Sequence, residues 1–422
     1  MCLTIPKQII SVNKNIVKLV RPGSPRVENA TSLVGVKKDD WVLCINDLIL
    51  KRISPNDARE IIELLKPTKK IDIAKLDSKF KKIIQSSKTR KLSKKEIIYL
   101  LKTSGSEKKA LLSEANIVRQ EHIKDFICIH GIIEFSNFCK NDCVYCGLRK
   151  ENELLPRYRM SVDEIVKTAE KAVKERGYKL LVLQSGEDYF YTDNMLVEII
   201  KKIKAACRVF IFVSIGERSY AAYKKIKDAG ASGVLFRFET SNPELFKKLH
   251  PRGKNLNNRF KHLKFMKGLG YFVATGSLIG LPGQTIEDLA DDIIITQNWT
   301  HMVSMGPFVP CDNTQFTKKP HGDPEMNLKM IAILRLLMPE ARIPVTTAFE
   351  TLAGENGRKQ ALASGANSLM FNLTPAKYRP LYQIYPDKFF KKEEMWEKYG
   401  LFKYEESYKM LEERIQQSLS SK

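Results

Sequence analysis

Apolar, β-type runs recur along the chain at about 126–135, 179–185, 208–215, 233–239, 271–279, 301–306, 342–347 and 367–372. Between them lie longer stretches whose apolar positions follow helical spacing, such as 162–175 and 194–206. Continuous apolar strands alternating with helices predict a parallel sheet covered by helices. Eight such units over about 250 residues predict a closed (β/α)8 barrel of the TIM type. An open, doubly wound sheet is the alternative. In a barrel, chemistry belongs at the C-terminal ends of the strands.

The first 67 residues follow a different period. Two short β-rich runs, 7–12 and 15–20, flank Asn13-Lys14-Asn15, a hairpin signal. Arg21-Pro22-Gly23-Ser24-Pro25 reads as a loop and 41–45 as a further strand. Ser54 then caps a helix with Pro55 at its first position and Asp57 in its first turn. Ala58, Ile61, Ile62 and Leu65 form the apolar stripe of that helix, and Pro67 ends it. The pattern predicts four parts. Residues 1–67 form a small OB-like β-barrel module with a helix. Residues 68–125 form lysine-rich helices, one opened by a Ser93–Glu96 capping box. Residues 126–390 form the large barrel, and 391–422 a helical tail.

Composition narrows the setting. The chain has 422 residues, 43% of them hydrophobic, enough for a large core. No apolar run approaches the roughly 18 residues that span a bilayer, and the start of the chain lacks a signal-peptide pattern. We expect a cytoplasmic protein without a membrane partner. The formal net charge is +23. Its lysines are spread along the chain, as on solvated helix faces, and neither an arginine-rich block nor an RNP1 or GXXG signature is present. Nucleic acid is therefore not an expected partner.

The eight cysteines are residues 2, 44, 128, 139, 143, 146, 207 and 311. A long cytosolic chain is a poor disulfide framework, and clustered cysteines in it point to metal. Cys139, Cys143 and Cys146 follow the first barrel strand with C-x3-C-x2-C spacing. At this cysteine content, chance places that pattern about 0.003 times. A 4Fe–4S cluster normally takes four thiolates, so three leave one iron open. A structural zinc ion with a fourth ligand such as His130 is the alternative. Cys207 and Cys311 form no second-cluster motif.

Other strand ends add polar groups. The second ends in Leu183-Gln184-Ser185-Gly186-Glu187-Asp188, the third in Ser214-Ile215-Gly216-Glu217 and the fourth in Arg237-Phe238-Glu239-Thr240. Arg259 lies on the helix that follows. Glu239 and Arg259 suit the cationic and carboxylate ends of an amino-acid zwitterion, or form an ordinary ion pair with neighbours. The fifth strand runs into Gly276-Ser277-Leu278-Ile279-Gly280-Leu281-Pro282-Gly283-Gln284. Thr346, Thr347 and Asn372 end the last two strands. They offer neutral hydrogen-bond groups for a small ligand, or act as caps.

The cysteine triplet resembles that of the radical S-adenosylmethionine (SAM) superfamily. That resemblance implies a 4Fe–4S cluster on Cys139, Cys143 and Cys146, with SAM chelated at the open iron and cleaved to a 5′-deoxyadenosyl radical. It places Tyr145 near the adenine and gives Gly186 and Glu187 the SAM amino group. More narrowly, 85–390 resembles the HydE family of FeFe-hydrogenase maturases. The segments that carry this are 131–149 (GIIEFSNFCKNDCVYCGLR), 183–188 (LQSGED), 280–284 (GLPGQ), 306–310 (GPFVP), 346–348 and 372–375 (NLTP). The family implies action on a small iron–carbonyl–cyanide–cysteine precursor of the di-iron cluster. Arg237, Glu239 and Arg259 would hold SAM, and Thr346, Thr347 and Asn372 would line the precursor pocket. It also implies other hydrogenase maturation proteins as partners and a reductant such as ferredoxin or flavodoxin. The family commonly has histidine where this chain has Phe238. Methylornithine synthase shares the barrel and much of the motif set, so a small amino-acid-like substrate is an alternative. Biotin-synthase-like sulfur chemistry, radical SAM modification of RNA and a non-catalytic iron carrier are others.

The first module resembles the HypC family of hydrogenase assembly chaperones through Met1-Cys2-Leu3-Thr4-Ile5-Pro6, the segment 37–43 and the helix after Ser54. That family implies Cys2 as a ligand of iron bearing cyanide and carbonyl, aided by a histidine. This chain lacks that histidine and has Cys44-Ile45 in its place. Cys44 substitutes for it, or the module only docks.

Overall fold

The computed structural model describes residues 2–388 apart from 4, 14–15, 33, 46, 66–70, 124–126 and 253–254. The expected tail, 391–422, lies outside the described residues. Strand β1 (Cys2–Leu3) precedes a closed five-stranded barrel. Its strands are β2 (Lys7–Asn13), β3 (Ile16–Val20), β4 (Val27–Ser32), β5 (Trp41–Ile45) and β6 (Leu48–Ile53), in the order β2-β3-β4-β6-β5. The β2–β3 hairpin and β5 stand where the alternation placed them. Ile9, Val17, Leu19, Ala30, Val42, Cys44 and Ile49 fill this small core. β4 and β6 were not legible. β4 carries Glu28 and Asn29, and its alternation supplies Ala30 as its one buried residue.

Helix α1 (Pro55–Leu65) follows, with the Ser54 hydroxyl accepting from Asp57 N at 3.1 Å. Its Ala58 and Ile61 join the core of the large domain. Next come α2 (Ser78–Ser87), α3 (Lys94–Lys102) and α4 (Gly105–Ile123). The Ser93–Glu96 capping box opens α3 as expected.

The large barrel then alternates: β7 (Ile127–Ser136), α5 (Val162–Lys174), β8 (Leu180–Ser185), α6 (Asp193–Ala206), β9 (Phe210–Ser214), α7 (Tyr220–Asp228) and β10 (Gly233–Leu235). α8 (Pro243–Leu249) and α9 (Leu256–Gly268) lead to β11 (Phe272–Thr275), β12 (Leu278–Ile279), α10 (Ile286–Trp299), β13 (Met302–Val303) and β14 (Gly306–Pro307). α11 (Pro324–Leu337), β15 (Pro344–Val345), α12 (Thr347–Ala353), α13 (Gly357–Ala363) and β16 (Ser368–Asn372) complete it. Eight parallel strands run in the order β13-β11-β10-β9-β8-β7-β16-β15. A parallel bridge between Met302 and Arg342 joins the two ends, with Val303 N to Arg342 O at 2.8 Å. This is the (β/α)8 barrel, not the open sheet.

Two strands are shorter than their apolar runs, for a reason that bears on the site. Phe238 N and Glu239 N both donate to Gly276 O, at 3.1 and 3.2 Å. One carbonyl serving two donors breaks the ladder, and Glu239 turns into the left-handed region at φ 67°. The fifth run likewise breaks at Gly276. Its continuation, β12, pairs with β14 above the main sheet.

Candidate functional site

The cysteine loop leaves the top of β7 and is held by its surroundings. The Arg157 guanidinium donates to four main-chain carbonyls: Asn137 (2.6 Å), Leu148 (3.0 Å), Arg149 (2.6 Å) and Asn152 (3.1 Å). Lys140 N donates to Glu187 O, Val144 N to Leu249 O and Gly147 N to Ile384 O, all at 3.1 Å. The loop is thus tied to the end of β8, to α8 and to the segment after β16. Gly186 lies so close beneath it that a Cβ there would stand 2.2 Å from Phe138 O and 2.8 Å from Cys139 Cβ. Asp188 fixes the same junction, accepting from Arg159 at 2.7 and 3.0 Å and from Ser136 Oγ at 2.7 Å.

Cys139, Cys143 and Cys146 are all half-buried. Burial, then the negative charge of Cys143 and Cys139, pushes the Cys146 thiol well above its ordinary pKa. Thiols bind metal as thiolates, giving up their protons on binding. Among the described residues, no three His, Cys, Asp or Glu side chains close on the space of one metal ion. A structural zinc ion takes four protein ligands, whereas a 4Fe–4S cube on three thiolates leaves one iron open. His130, the suggested fourth zinc ligand, lies toward the opposite end of β7.

Beside the loop, the strand ends assemble a charged cradle. Glu187 Oε1 accepts from Glu217 N at 3.0 Å, and Lys140 Nζ stands 3.7 Å from Glu187 Oε2. Arg259 Nε lies 3.2 Å from Glu217 Oε1, and its guanidinium sits 4.6 Å from the centre of the Phe236 ring. Burial opposes the Arg259 charge, but Glu217, Glu187 and Glu239 together outweigh it and raise its pKa. Arg237 donates to Ser277 O at 2.8 Å and stands 3.3 Å from Glu239 Oε2. The Tyr145 hydroxyl lies 3.3 Å from His250 Nε2. Burial, then the charges of Glu239, Cys143 and Cys146, raises the Tyr145 pKa. Tyr145, Gly186, Glu187, Arg237, Glu239 and Arg259 are thus brought together around one mouth of the barrel. Glu217 belongs with them. The Gly216-Glu217 pair ending the third strand, parallel to Gly186-Glu187, was its signal.

Deeper, Asn372 Nδ2 donates to Glu134 Oε2 at 2.7 Å, and Lys388 Nζ pairs with Glu134 Oε1. Thr347 Oγ1 shares a 2.7 Å hydrogen bond with the Tyr385 hydroxyl. Thr346 caps α12, accepting from Phe349 N at 3.3 Å. Glu134, Lys388 and Tyr385 were not singled out from sequence. A charged residue inside an apolar strand was the available signal for Glu134. Phe238 is wholly buried with Phe246, Leu256 and Phe260, so the departure at that position is absorbed under α8 and α9.

In the first module, Cys44 lies on β5 with its side chain buried. It is part of the module's core, and burial raises its pKa to about 11. The backbone of Cys2 is paired elsewhere, antiparallel to Cys128 of β7.

Three family models match in succession: the HupF/HypC family over residues 1–65, the radical SAM superfamily over 133–293, and the biotin and thiamin synthesis associated domain over 304–401. The HydE maturase subunit of FeFe-hydrogenase from Thermotoga maritima is 45% identical over 280 residues, 66% of this chain and 79% of that protein. The 3-methylornithine synthase of Methanosarcina acetivorans is 31% identical over 71% of this chain and 84% of its own. The crystal structure of methylornithine synthase superposes with a TM-score of 0.63 at 28% identity, over 75% of this chain and 88% of that one. The chain belongs to the radical SAM superfamily and to the HydE family of maturases, enzymes that work with a 4Fe–4S cluster and SAM, and it carries a HupF/HypC-family domain at its N-terminal end.

Proposed function

We propose that the protein is a maturase that acts by radical chemistry on a small iron–carbonyl–cyanide–cysteine precursor of the FeFe-hydrogenase di-iron cluster. The observation that carries this reading is the pairing of a half-buried thiol triplet with a mixed-charge cradle at the same barrel mouth. Cys139, Cys143 and Cys146 would hold the 4Fe–4S cluster. With one iron left open, that cluster supplies the electron that cleaves a carbon–sulfur bond of bound SAM. The cradle matches an amino-acid zwitterion: Glu187 and Glu239 accept from the ammonium, and Arg259 faces the carboxylate. Tyr145 packs beside the adenine. Farther in, Asn372, Thr347 and Tyr385 offer neutral hydrogen-bond groups to the precursor, and Lys388 supplies a positive charge for its cyanides. Other maturation proteins would deliver and receive the iron unit, with ferredoxin or flavodoxin as electron donor.

A second reading, a rearrangement of an amino acid, is favoured by the 31% identity to 3-methylornithine synthase. Anaerobic reconstitution separates the two. SAM cleavage is followed with and without the iron–cysteine precursor, and with free amino acids in its place. The first reading expects cleavage to accelerate only with the precursor, and to vanish in Cys143→Ala. Acceleration by an amino acid alone would establish the second reading instead.

A further inference from the structure

A groove of about 480 Å³ lies on the outside of the barrel, between α5 and the chain that leaves β16. Lys167, Lys171, Arg176, Lys377 and Arg379 line it, against one carboxylate, Glu164. That carboxylate is already engaged, accepting from Lys377 Nζ at 2.7 Å, the Tyr378 hydroxyl at 3.0 Å and Ser161 N at 2.9 Å. Two further acids of α5, Asp163 and Glu170, pair with Lys202 at 3.1 Å and Lys174 at 3.6 Å. Lys167 and Lys171 stand one turn apart, both exposed, and neither has an ion-pair partner among the described residues. Uncompensated positive charge in a concave surface attracts an anionic partner.

One wall of this groove runs on to the cysteine loop. Tyr378, next to Lys377, stacks on Tyr158 with ring centres 4.7 Å apart. Tyr158 N donates to Asn137 Oδ1 at 2.7 Å, and Asn137 Nδ2 donates to Leu381 O at 2.8 Å. Asn137 stands two residues before Cys139. Farther along, Gly147 N donates to Ile384 O, and a Cβ at Gly147 would collide with Gln383 O. Gly147 directly follows Cys146. Residues 377–384 are thus a strap against the loop at both of its ends. The cradle draws on the ends of β8 to β11, whereas the strap flanks β7 on its other side, toward β16.

We propose that the groove lined by Lys167, Lys171, Arg176, Lys377 and Arg379 docks an acidic electron-carrier protein, which reduces the cluster across the 377–384 strap. Charge complementarity selects the partner, and continuity of the groove wall with the cysteine loop gives its purpose. The barrel mouth stays free for SAM and substrate. The carrier loses one electron and the cluster gains it; no bond forms or breaks and no proton moves. Contacts of this kind are small and held largely by charge, so salt weakens them steeply. The proposal rests on the cluster and on an external electron donor, and is independent of which substrate the radical meets.

The test uses the full chain with its cluster reconstituted anaerobically, and an acidic flavodoxin as the probe. Calorimetry first measures binding of the oxidised flavodoxin, a step in which no electron moves. Lys167→Glu combined with Lys171→Glu should weaken this binding at least about tenfold and flatten its salt dependence. Lys261→Glu combined with Lys264→Glu makes the same charge change on exposed positions of α9 and should alter it by less than about twofold. Electron paramagnetic resonance then follows cluster reduction by reduced flavodoxin and, separately, by dithionite. The groove variant should slow the first at least about tenfold and leave the second unchanged. Flavodoxin binding that is absent, indifferent to the groove variant or lost equally in both variants overturns the site. So does equal slowing with dithionite, which would place the damage in the cysteine loop. Tighter binding of a single-stranded RNA than of flavodoxin, with the same dependence on Lys167 and Lys171, would assign the groove to nucleic acid instead. Neither readout contains the iron–cysteine precursor, so failure of the maturase reading leaves both intact.

Discussion

Lys388 and Glu134 lie 254 positions apart in the chain and form an ion pair inside the barrel, with side chains 5% and 0% exposed. The pair closes the route of the chain after β16, which first passes the cysteine loop at Ile384 and then turns inward. It also orients Asn372, which donates to the other carboxylate oxygen.

Removing one partner of such a pair strands a charge away from water. Lys388→Met should cost about 3–5 kcal/mol of stability, read from the urea midpoint. Glu134→Gln combined with Lys388→Met should recover most of that loss, because the stranded charge is gone. A double variant as unstable as the single one would show that the loss came from packing instead.

Gly186 makes a second, sharper prediction. The atoms that its missing Cβ leaves room for are the Phe138 carbonyl and Cys139 Cβ, both at the base of the cysteine loop. Neither is the tip of a flexible side chain. Gly186→Ala should leave the circular dichroism of the barrel intact while iron uptake on anaerobic reconstitution falls several-fold. Gly268→Ala is the matched control, since a Cβ there meets nothing within 4 Å. Equal iron content in the two variants would remove Gly186 from the support of the loop.

The difference between these two residue sets explains what sequence could reveal. Gly186, Glu187, Glu239 and the three cysteines sit at strand ends, where period and motif coincide, and barrel topology sends strand ends to one mouth. The eight strands were legible because each is a mostly apolar run set between stretches of helical period. β4 was not, because one face of a small barrel's strand is solvated and its turns need no glycine signature. Lys388 was illegible for another reason. It is one lysine among many in a basic chain, and only the tertiary path of the segment after β16 carries it to Glu134. Cys44 lies on a run that sequence read as a strand, and the structure places its side chain in the module's core.

Arg259 is the cradle residue whose replacement should be most specific. Its Nε lies 3.2 Å from Glu217 and its plane covers Phe236, a combination that an ammonium cannot reproduce. Arg259→Lys should raise the KM for SAM about tenfold or more and leave cluster content unchanged. An unchanged KM would mean that Arg259 only neutralises its neighbours Glu217, Glu187 and Glu239.

Asp292 gives the pH prediction. It is wholly buried on α10 and accepts from Ser241 N at 2.7 Å, Ser241 Oγ at 2.6 Å and Gln284 Nε2 at 3.2 Å. Gln284 in turn folds over the 278–281 segment, donating to Leu278 O at 3.0 Å and accepting from Gly280 N at 2.7 Å. Burial, against the Ser241 hydrogen bonds, raises the Asp292 pKa from the ordinary 3.8 to about 7. The folded state therefore holds this proton more tightly than the unfolded chain does. Its stabilising contribution is complete below about pH 4 and is lost as pH rises through about 7. Asp292→Asn keeps an acceptor for Ser241 but sets an amide against Gln284, a cost that does not vary with pH. The Tm of Asp292→Asn relative to the parent should climb steadily between pH 4 and pH 7 and level off above, whatever its starting offset. Parallel pH profiles for the two proteins would mean that Asp292 is ionised in the fold across that range, held so by Ser241 and Gln284.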